Sequence, residues 1–516
     1  MLRCVSAVSV CEPLALRCTS VLLTAEVAAI YHSPVNTFPS LQTSGALRLI
    51  LFHCAVFFLF AVHGNVATAH SQPRRGKLVA ATPPMGWNSW DSYGRTLNEE
   101  SIKASAKWMA QHLKRFGWDY VVVDEGWYLA NLDAKGNDQH IRFEIDAHGR
   151  YVPEPGRFPS AGKDFTFRPL ADYLHSLGLK FGIHIIRGIP REAVARNLPI
   201  AGSSFHAADA ADTSDVCPWN AYNYGLNTSH PASQAYYDSL ARQYSAWAVD
   251  FIKVDCISDH PYKGAEIRMF SEAIARSGRP MVLSLSPGPT AIDKRDEVFK
   301  FAQMWRISDD VWDVWYSSKN FPQGVKNQFS RAALWAGVAQ PGHWPDADML
   351  PIGSLRPAAG WGEPRETRLS QDEQRTLLTL WSIFRSPLIM GGNLLLSDAW
   401  TTSLLTNAEV IAVDQHSRDN HPVITTDNIV IWTARPLSGR DAGRAFYVAV
   451  FNVSDTAQTV HYRWSDLGLS ASSYRLRDLW THTDLGPATS IEVTLPPHAS
   501  VLYRAAPNLS LNHLPK

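Results

Sequence analysis

The run Tyr120-Val121-Val122-Val123-Asp124-Glu125 decides the fold. An unbroken aromatic and β-branched stretch ending in acid is the pattern of a strand covered on both faces, delivering carboxylates at its C-terminal end. Ahead of it, Ile102, Ala106, Met109 and Leu113 recur at helical spacing behind Asn98, which is placed to cap that helix. Beyond it, Pro169 opens a helix whose Leu170, Leu174 and Leu177 face inward, Gly178 closes it, and a strand follows over 179–186. The same grammar recurs as helix 233–247 and strand 250–255, helix 265–276 and strand 281–286, then helix 296–301 and the strand Met304-Trp305-Arg306. Successive βα units predict an α/β fold whose parallel sheet closes as a (β/α)8 barrel over residues 77–417. The structural alternative, an open doubly wound sheet, has no G-x-G-x-x-G or P-loop glycine motif to support it.

The pattern changes after residue 417. Short β runs at 423–424, 429–432, 445–451, 459–462 and 500–503 are separated by Asp, Asn, Ser, Gly or Pro, which predicts a C-terminal antiparallel β-sandwich domain over 418–507. The N-terminal segment 1–69 reads as a leader. Arg48, an apolar run over 49–62 and Ala67-Thr68-Ala69 have the order of a signal peptide spanning about 47–69. The apolar run is shorter than the roughly 20 residues of a membrane span. Because residues 1–46 precede this signal, translation is expected to start downstream, at Val35, Leu41 or Leu47. The chain is therefore expected to be exported, to the periplasm or the outside. Four of the six cysteines lie in the leader, leaving Cys217 and Cys256, for which one disulfide and two buried thiols are both open.

Composition narrows the function. In 516 residues, 48 basic side chains balance 48 acidic ones, so there is no positive field to hold nucleic acid and no charged tail. Collagenous, disordered and coiled-coil classes are excluded by 45% hydrophobic and 19% charged content. A neutral small substrate fits better, and the 18 tryptophans supply core packing or platforms for sugar rings.

Carboxylates gather at the predicted strand ends: Asp124 and Glu125, Asp255, Asp309 and Asp310, Asp346 and Asp348. In a barrel those ends share the rim where active sites lie. No H-x-H, C-x-x-C or calcium-loop spacing accompanies them, and no G-x-S-x-G elbow, so neither a metal, nor a cofactor, nor a serine nucleophile is expected. Glycoside hydrolysis needs one ionised and one protonated carboxyl. Lys253 lies two residues before Asp255 on the same side of its strand, an ammonium that suits an ionised nucleophile. Asp310 stands among Trp305, Trp312 and Trp315, apolar surroundings of the kind that keep an acid protonated.

Together, Pro84-Met85-Gly86-Trp87-Asn88-Ser89-Trp90, Asp124-Glu125-Gly126-Trp127, Lys253-Val254-Asp255, Arg306-Ile307-Ser308-Asp309-Asp310 and Asp346-Ala347-Asp348-Met349-Leu350 resemble the ordered motifs of glycoside hydrolase family 27, the α-galactosidase and α-N-acetylgalactosaminidase family. The resemblance spans nearly all of the chain after the leader. It implies a retaining double displacement on a carbohydrate substrate, with Asp255 as nucleophile and Asp310, four residues after Arg306, as acid/base in preference to Asp309. It further implies that Trp90 floors the sugar pocket, Asp124 binds hydroxyls on the far side of the ring, and Lys253, Arg306 and Asp348 complete the pocket. The family's cysteine pairing matches Cys217 with Cys256. α-Galactosidase is the leading activity on this basis, and the sequence carries no signal for oligomeric state.

The departures bear on the substrate. Glu125 replaces the second of two adjacent aspartates, and its added methylene pushes a carboxylate toward C4 and C6 of the sugar, favouring a pentopyranose such as β-L-arabinopyranose. His184 stands where the family usually has Tyr. Ser286 stands where α-galactosidases carry the glutamate that reads the 2-hydroxyl, as in the N-acetylgalactosaminidase branch, although Pro289 is larger than the alanine of that branch's acetamide pocket. An α-glucan-acting member of the family and a catalytically inactive sugar-binding protein complete the alternatives.

Overall fold

The computed structural model describes residues 78–132, 142–356, 363–439 and 441–508. The leader and signal peptide expected over 1–69 lie outside the described residues. Eight parallel strands form one sheet: β1 (Met85–Asn88), β2 (Tyr120–Val123), β3 (Lys180–Ile186), β4 (Phe251–Asp255), β5 (Val282–Leu285), β6 (Met304–Arg306), β7 (Trp344–Asp346) and β8 (Leu388–Met390). Their order is β7-β6-β5-β4-β3-β2-β1-β8. The two edges meet just beyond β7, where Leu350 forms a parallel bridge with Met390. Its amide donates to the Ile389 carbonyl at 2.8 Å, and the Gly391 amide donates to its carbonyl at 3.0 Å.

Each strand is followed by at least one helix, among them α1 (Glu99–His112), α2 (Arg168–Ser176), α3 (Pro231–Ala246), α4 (Gly264–Ser277), α5 (Arg295–Phe301), α6 (Asn327–Leu334) and α7 (Gln371–Phe384). Asn98 caps α1, its side chain accepting from the Ser101 amide at 2.9 Å.

The unbroken apolar look of the strands conceals a strict alternation. Val121 and Val123 of β2, Ile252 and Val254 of β4, and Leu283 and Leu285 of β5 join the large core that includes the helices. Tyr120, Val122, Phe251, Val282, Met304 and Trp344 point the other way and pack together inside the barrel. Both faces are dry, so both sets are apolar. Toward the C-terminal ends the inward positions turn polar: Lys253, Ser284, Arg306 and Asp346 line an internal cavity above that apolar plug.

Eight further strands follow: β9 (Ser417–Thr425), β10 (Ile429–Pro436), β11 (Phe446–Asn452), β12 (Gln458–Arg463), β13 (Tyr474–Asp478), β14 (Thr483–Ala488), β15 (Ser490–Leu495) and β16 (Ser500–Pro507). Six form an antiparallel sheet in the order β9-β10-β11-β16-β13-β14, and β12 pairs with β15. Ile431, Val448 and Val450 of the large sheet share a core with Val460 of β12 and Ile491 of β15. Its opposite face meets the barrel helices, with Phe451 against Phe329 of α6 and Trp432 against Phe384 of α7.

Candidate active site

The strand ends bring the sequence-predicted polar residues onto one rim. Asp124, immediately after β2, accepts from Asn88 Nδ2 at 2.6 Å and from Lys253 Nζ at 2.9 Å. Its amide is held by Ser89 Oγ at 3.0 Å. Burial favours the protonated acid, but the Lys253 and His184 charges outweigh it and hold the Asp124 carboxyl below the usual range. The reciprocal effect keeps Lys253 protonated against its own burial.

Glu125, the next residue, has partners of its own. Its Oε1 accepts from Asn220 Nδ2 at 3.1 Å and lies 3.2 Å from Arg95 Nη2. Burial raises its carboxyl pKa, with Arg95 and His184 opposing.

Asp255 ends β4. Oδ1 accepts from the Cys256 amide at 2.9 Å, while Oδ2 faces His184 Nε2 at 3.6 Å and Trp219 Nε1 at 3.4 Å. Burial alone pushes this carboxyl up; the hydrogen bond and charge of His184, with Lys253, reverse the sign and hold it low. His184 is buried too, yet Asp124 and Asp255 raise its pKa above the ordinary 6.5. Its Nδ1 has no partner among the described residues.

Across the rim, Arg306 at the end of β6 bridges two acids, with Nη1 2.6 Å from Asp348 Oδ1 and Nη2 3.2 Å from Asp310 Oδ1. Asp310 is a third exposed, whereas Asp348 is buried. Asp348 takes φ of 90°, unusual for a residue with a Cβ. Its amide donates to Asp346 Oδ1 at 2.9 Å, its carboxylate accepts from the Val311 amide at 2.6 Å, and Trp381 Nε1 donates to its carbonyl at 2.8 Å. Asp309 instead faces His260 at 3.2 Å. Ser286 lines the internal cavity beside Lys253 and Arg306, and Trp90 follows β1 with its amide bonded to Asn88 Oδ1 at 2.9 Å.

Below these groups lies a small cavity of about 20 Å³, lined by Asn88, Lys253, Ser286, Arg306 and Asp348 with Val122 and Phe251 on its apolar side. Cys217 and Cys256 are joined as a disulfide with Cα atoms 6.0 Å apart. One expectation needs correction. The three tryptophans read as enclosing Asp310 are committed elsewhere, Trp305 to Phe299 and Trp335, Trp312 beneath Arg365, and Trp315 against His498. The charge partner of Asp310 is Arg306.

Sequence reasoning missed Trp219, Asn220 and Asp91. The first two lie at the turn of the hairpin just after Cys217, Asn220 opening its second strand, and the disulfide alone signalled that hairpin. Asp91 is fully buried beneath the rim, with Oδ2 unpartnered among the described residues. Burial, then the nearby Asp348 and Asp310, raise its pKa strongly. Its place directly after Trp90 was the one available hint.

A barrel that gathers several carboxylates, a lysine and an arginine at the C-terminal ends of its strands has the groups that a glycoside hydrolase needs. The chain matches the family profile described as Alpha galactosidase A over residues 82–195 and 220–416, and the Alpha galactosidase C-terminal beta sandwich domain over 426–505, and it belongs to this family, glycoside hydrolase family 27. Among solved structures it is similar to a GH27 β-L-arabinopyranosidase from Geobacillus stearothermophilus, with 44% identity, TM-score 0.78, and coverage of 84% of this chain and 98% of that one. A putative α-N-acetylgalactosaminidase from Bacillus halodurans shows 39% identity and TM-score 0.73 over 84% of this chain and 99% of that one. The α-galactosidase of Cyamopsis tetragonoloba is 27% identical over 83% of this chain and 87% of that protein.

Proposed function

We propose that this protein is a retaining exo-glycosidase that removes terminal β-L-arabinopyranosyl residues, with Asp255 as nucleophile and Asp310 as acid/base. In the first step the Asp255 carboxylate attacks the anomeric carbon while Asp310 protonates the departing oxygen. In the second, Asp310 takes a proton from the water that releases the sugar from Asp255. Asp255 suits its role because His184 and Lys253 keep it ionised. Asp310 suits its own because it is the more exposed carboxyl, open to leaving group and water. Asp124, Lys253, Arg306, Asp348, Ser286, His184 and Trp90 bind the sugar in this reading.

The observation that carries the pentopyranose preference is Glu125. Its longer side chain is fixed by Asn220 and Arg95 beside the Asp124–Lys253 pair. In this reading its carboxyl occupies the space in which galactose, but not arabinopyranose, would carry a hydroxymethyl group. The similarity to the Geobacillus arabinopyranosidase supports the same reading. α-Galactosidase is the second reading, supported by relatives of that name in plants, a bacterium and humans at 24–29% identity. The Cys217–Cys256 disulfide supports export to an oxidising compartment. Among the described residues no helix is long and apolar enough to cross a membrane.

The deciding experiment compares kcat/KM for the p-nitrophenyl β-L-arabinopyranoside, α-D-galactopyranoside, α-N-acetylgalactosaminide and α-glucoside. The arabinopyranoside is expected to lead, and Glu125→Asp to raise the galactoside to arabinopyranoside ratio. A leading galactoside with a ratio indifferent to Glu125→Asp would overturn the steric reading in favour of the second.

A further inference from the structure

The structure places one large apolar side chain in the open beside the proposed nucleophile. Trp219 is 46% exposed, and among the described residues no other tryptophan is as open to solvent. Its ring edge has partners. Nε1 points at Asp255 Oδ2, 3.4 Å away, and the indole meets the His260 imidazole edge to face with centroids 5.9 Å apart. His260 in turn contacts Asp309 at 3.2 Å, the residue next to the proposed acid/base. The indole therefore lies on the side of the rim spanned by the two proposed catalytic carboxylates.

The hairpin that carries it is anchored at several points. Its strands are Ala211–Cys217 and Asn220–Leu226. At the tip, Cys217 is bonded to Cys256, the residue after Asp255. Along the first strand, Asp215 accepts from Arg187 at 2.9 and 2.7 Å and from Lys263 at 2.8 Å. Arg187 also binds the Cys256 carbonyl at 2.7 Å and Glu266 at 2.9 Å. An exposed aromatic normally gains little by being held still. One held by a disulfide and a buried ion network is preorganised for contact with something outside the chain.

We propose that Trp219 is the platform of a leaving-group subsite, stacking against the pyranose ring on the far side of the scissile bond. The inference rests on the retaining-glycosidase reading above and deepens it, naming a second sugar as part of the recognised substrate. Asn220, the next residue, reaches back to Glu125 at the glycosyl site, so adjacent side chains on one tip address opposite sides of the bond. The indole offers its apolar face to the axial C–H groups of a neutral sugar. That contact helps only substrates whose leaving group has a ring.

The test compares kcat/KM for a disaccharide, with the terminal β-L-arabinopyranosyl or α-D-galactosyl unit linked 1→6 to glucose, against the glycosyl fluoride of the same terminal sugar. Fluoride has no ring to stack, and the ratio cancels any common effect on the nucleophile through Nε1. Trp219→Ala is expected to lower the disaccharide to fluoride ratio about fivefold to tenfold, and Trp219→Phe to restore most of it. An unchanged ratio in Trp219→Ala, or one that Trp219→Phe leaves equally low, overturns the platform while leaving the glycosidase reading intact. Absence of turnover of both fluorides by the unmodified enzyme overturns both.

Discussion

His184 Nε2 stands 3.6 Å from Asp255 Oδ2, with His184 buried within β3 and Asp255 partly buried at the end of the adjacent β4. The pair fixes two protonation states at once. Asp255 has a lowered pKa and His184 a raised one, although burial works against both shifts. His184→Phe removes the donor and the charge together. The acidic limb of the kcat/KM profile, which reports ionisation of the free nucleophile, is then expected to move to higher pH. An unmoved limb would separate His184 from Asp255. Stability follows with its own sign. The His184 contribution is fully present below its unfolded value near 6.5 and is lost as pH rises through the higher folded value, so the decline of Tm above pH 6.5 should be shallower in His184→Phe.

Asp310 and Asp255 should separate by leaving group. Asp310→Ala is expected to lose about 10²- to 10⁴-fold in kcat/KM, which reports the first step, on a disaccharide and far less on a 2,4-dinitrophenyl glycoside, whose leaving group needs no proton. Asp255→Ala should lose both. Steady-state kinetics on the two substrates make the distinction, and an equal loss in Asp310→Ala would remove it from the acid role.

The disulfide offers a third test. Cys217→Ser with Cys256→Ser should cost about 2–4 kcal/mol of stability, read as a lowered midpoint in denaturant. The Arg187–Asp215 contact keeps part of the hairpin in place, so the fold should survive while kcat/KM falls for substrates that contact Trp219 or depend on Glu125.

Gly86 of β1 sits opposite Tyr120 of β2, and a Cβ there would collide with the Tyr120 carbonyl and Cβ. Gly86→Ala is expected to destabilise the barrel by about 1–3 kcal/mol. Thermal unfolding measures it, and a Tm equal to that of the unmodified protein would mean that the strands part more easily than their packing indicates.

What was legible in the sequence was whatever periodicity carries. The strand Met304–Arg306 falls where expected, and the helix ending at His112 runs from its expected cap at Asn98. The runs over 429–432 and 445–451 stood out because both faces of their sheet are buried. β14 went unread for the opposite reason: Thr483–Ala488 lies at the sheet edge largely in solvent, where no apolar pattern is required. The site behaved likewise. Carboxylates at strand ends were visible because a barrel gives such positions one destination. Trp219 and Asn220 come from a hairpin whose approach to the rim is set by a crosslink and by Arg187, long-range partners that leave no periodic trace. The tryptophans near Asp310 misled because sequence adjacency on a loop does not fix which way an indole turns.

The hairpin between residues 211 and 226 has a consequence for how such an enzyme diversifies. It lies outside the eight-stranded wall that holds Asp255 and Arg306, and it is fastened by a crosslink, by Arg187 and Lys263 on Asp215, and by pairing of its second strand with Ile189–Pro190. Its tip presents one residue toward Glu125 and the preceding one toward the open rim. If Glu125 and Trp219 act as proposed, exchange of this single hairpin would retune both which sugar is removed and what it is removed from, while Asp255 and Arg306 stay on strands that need not change.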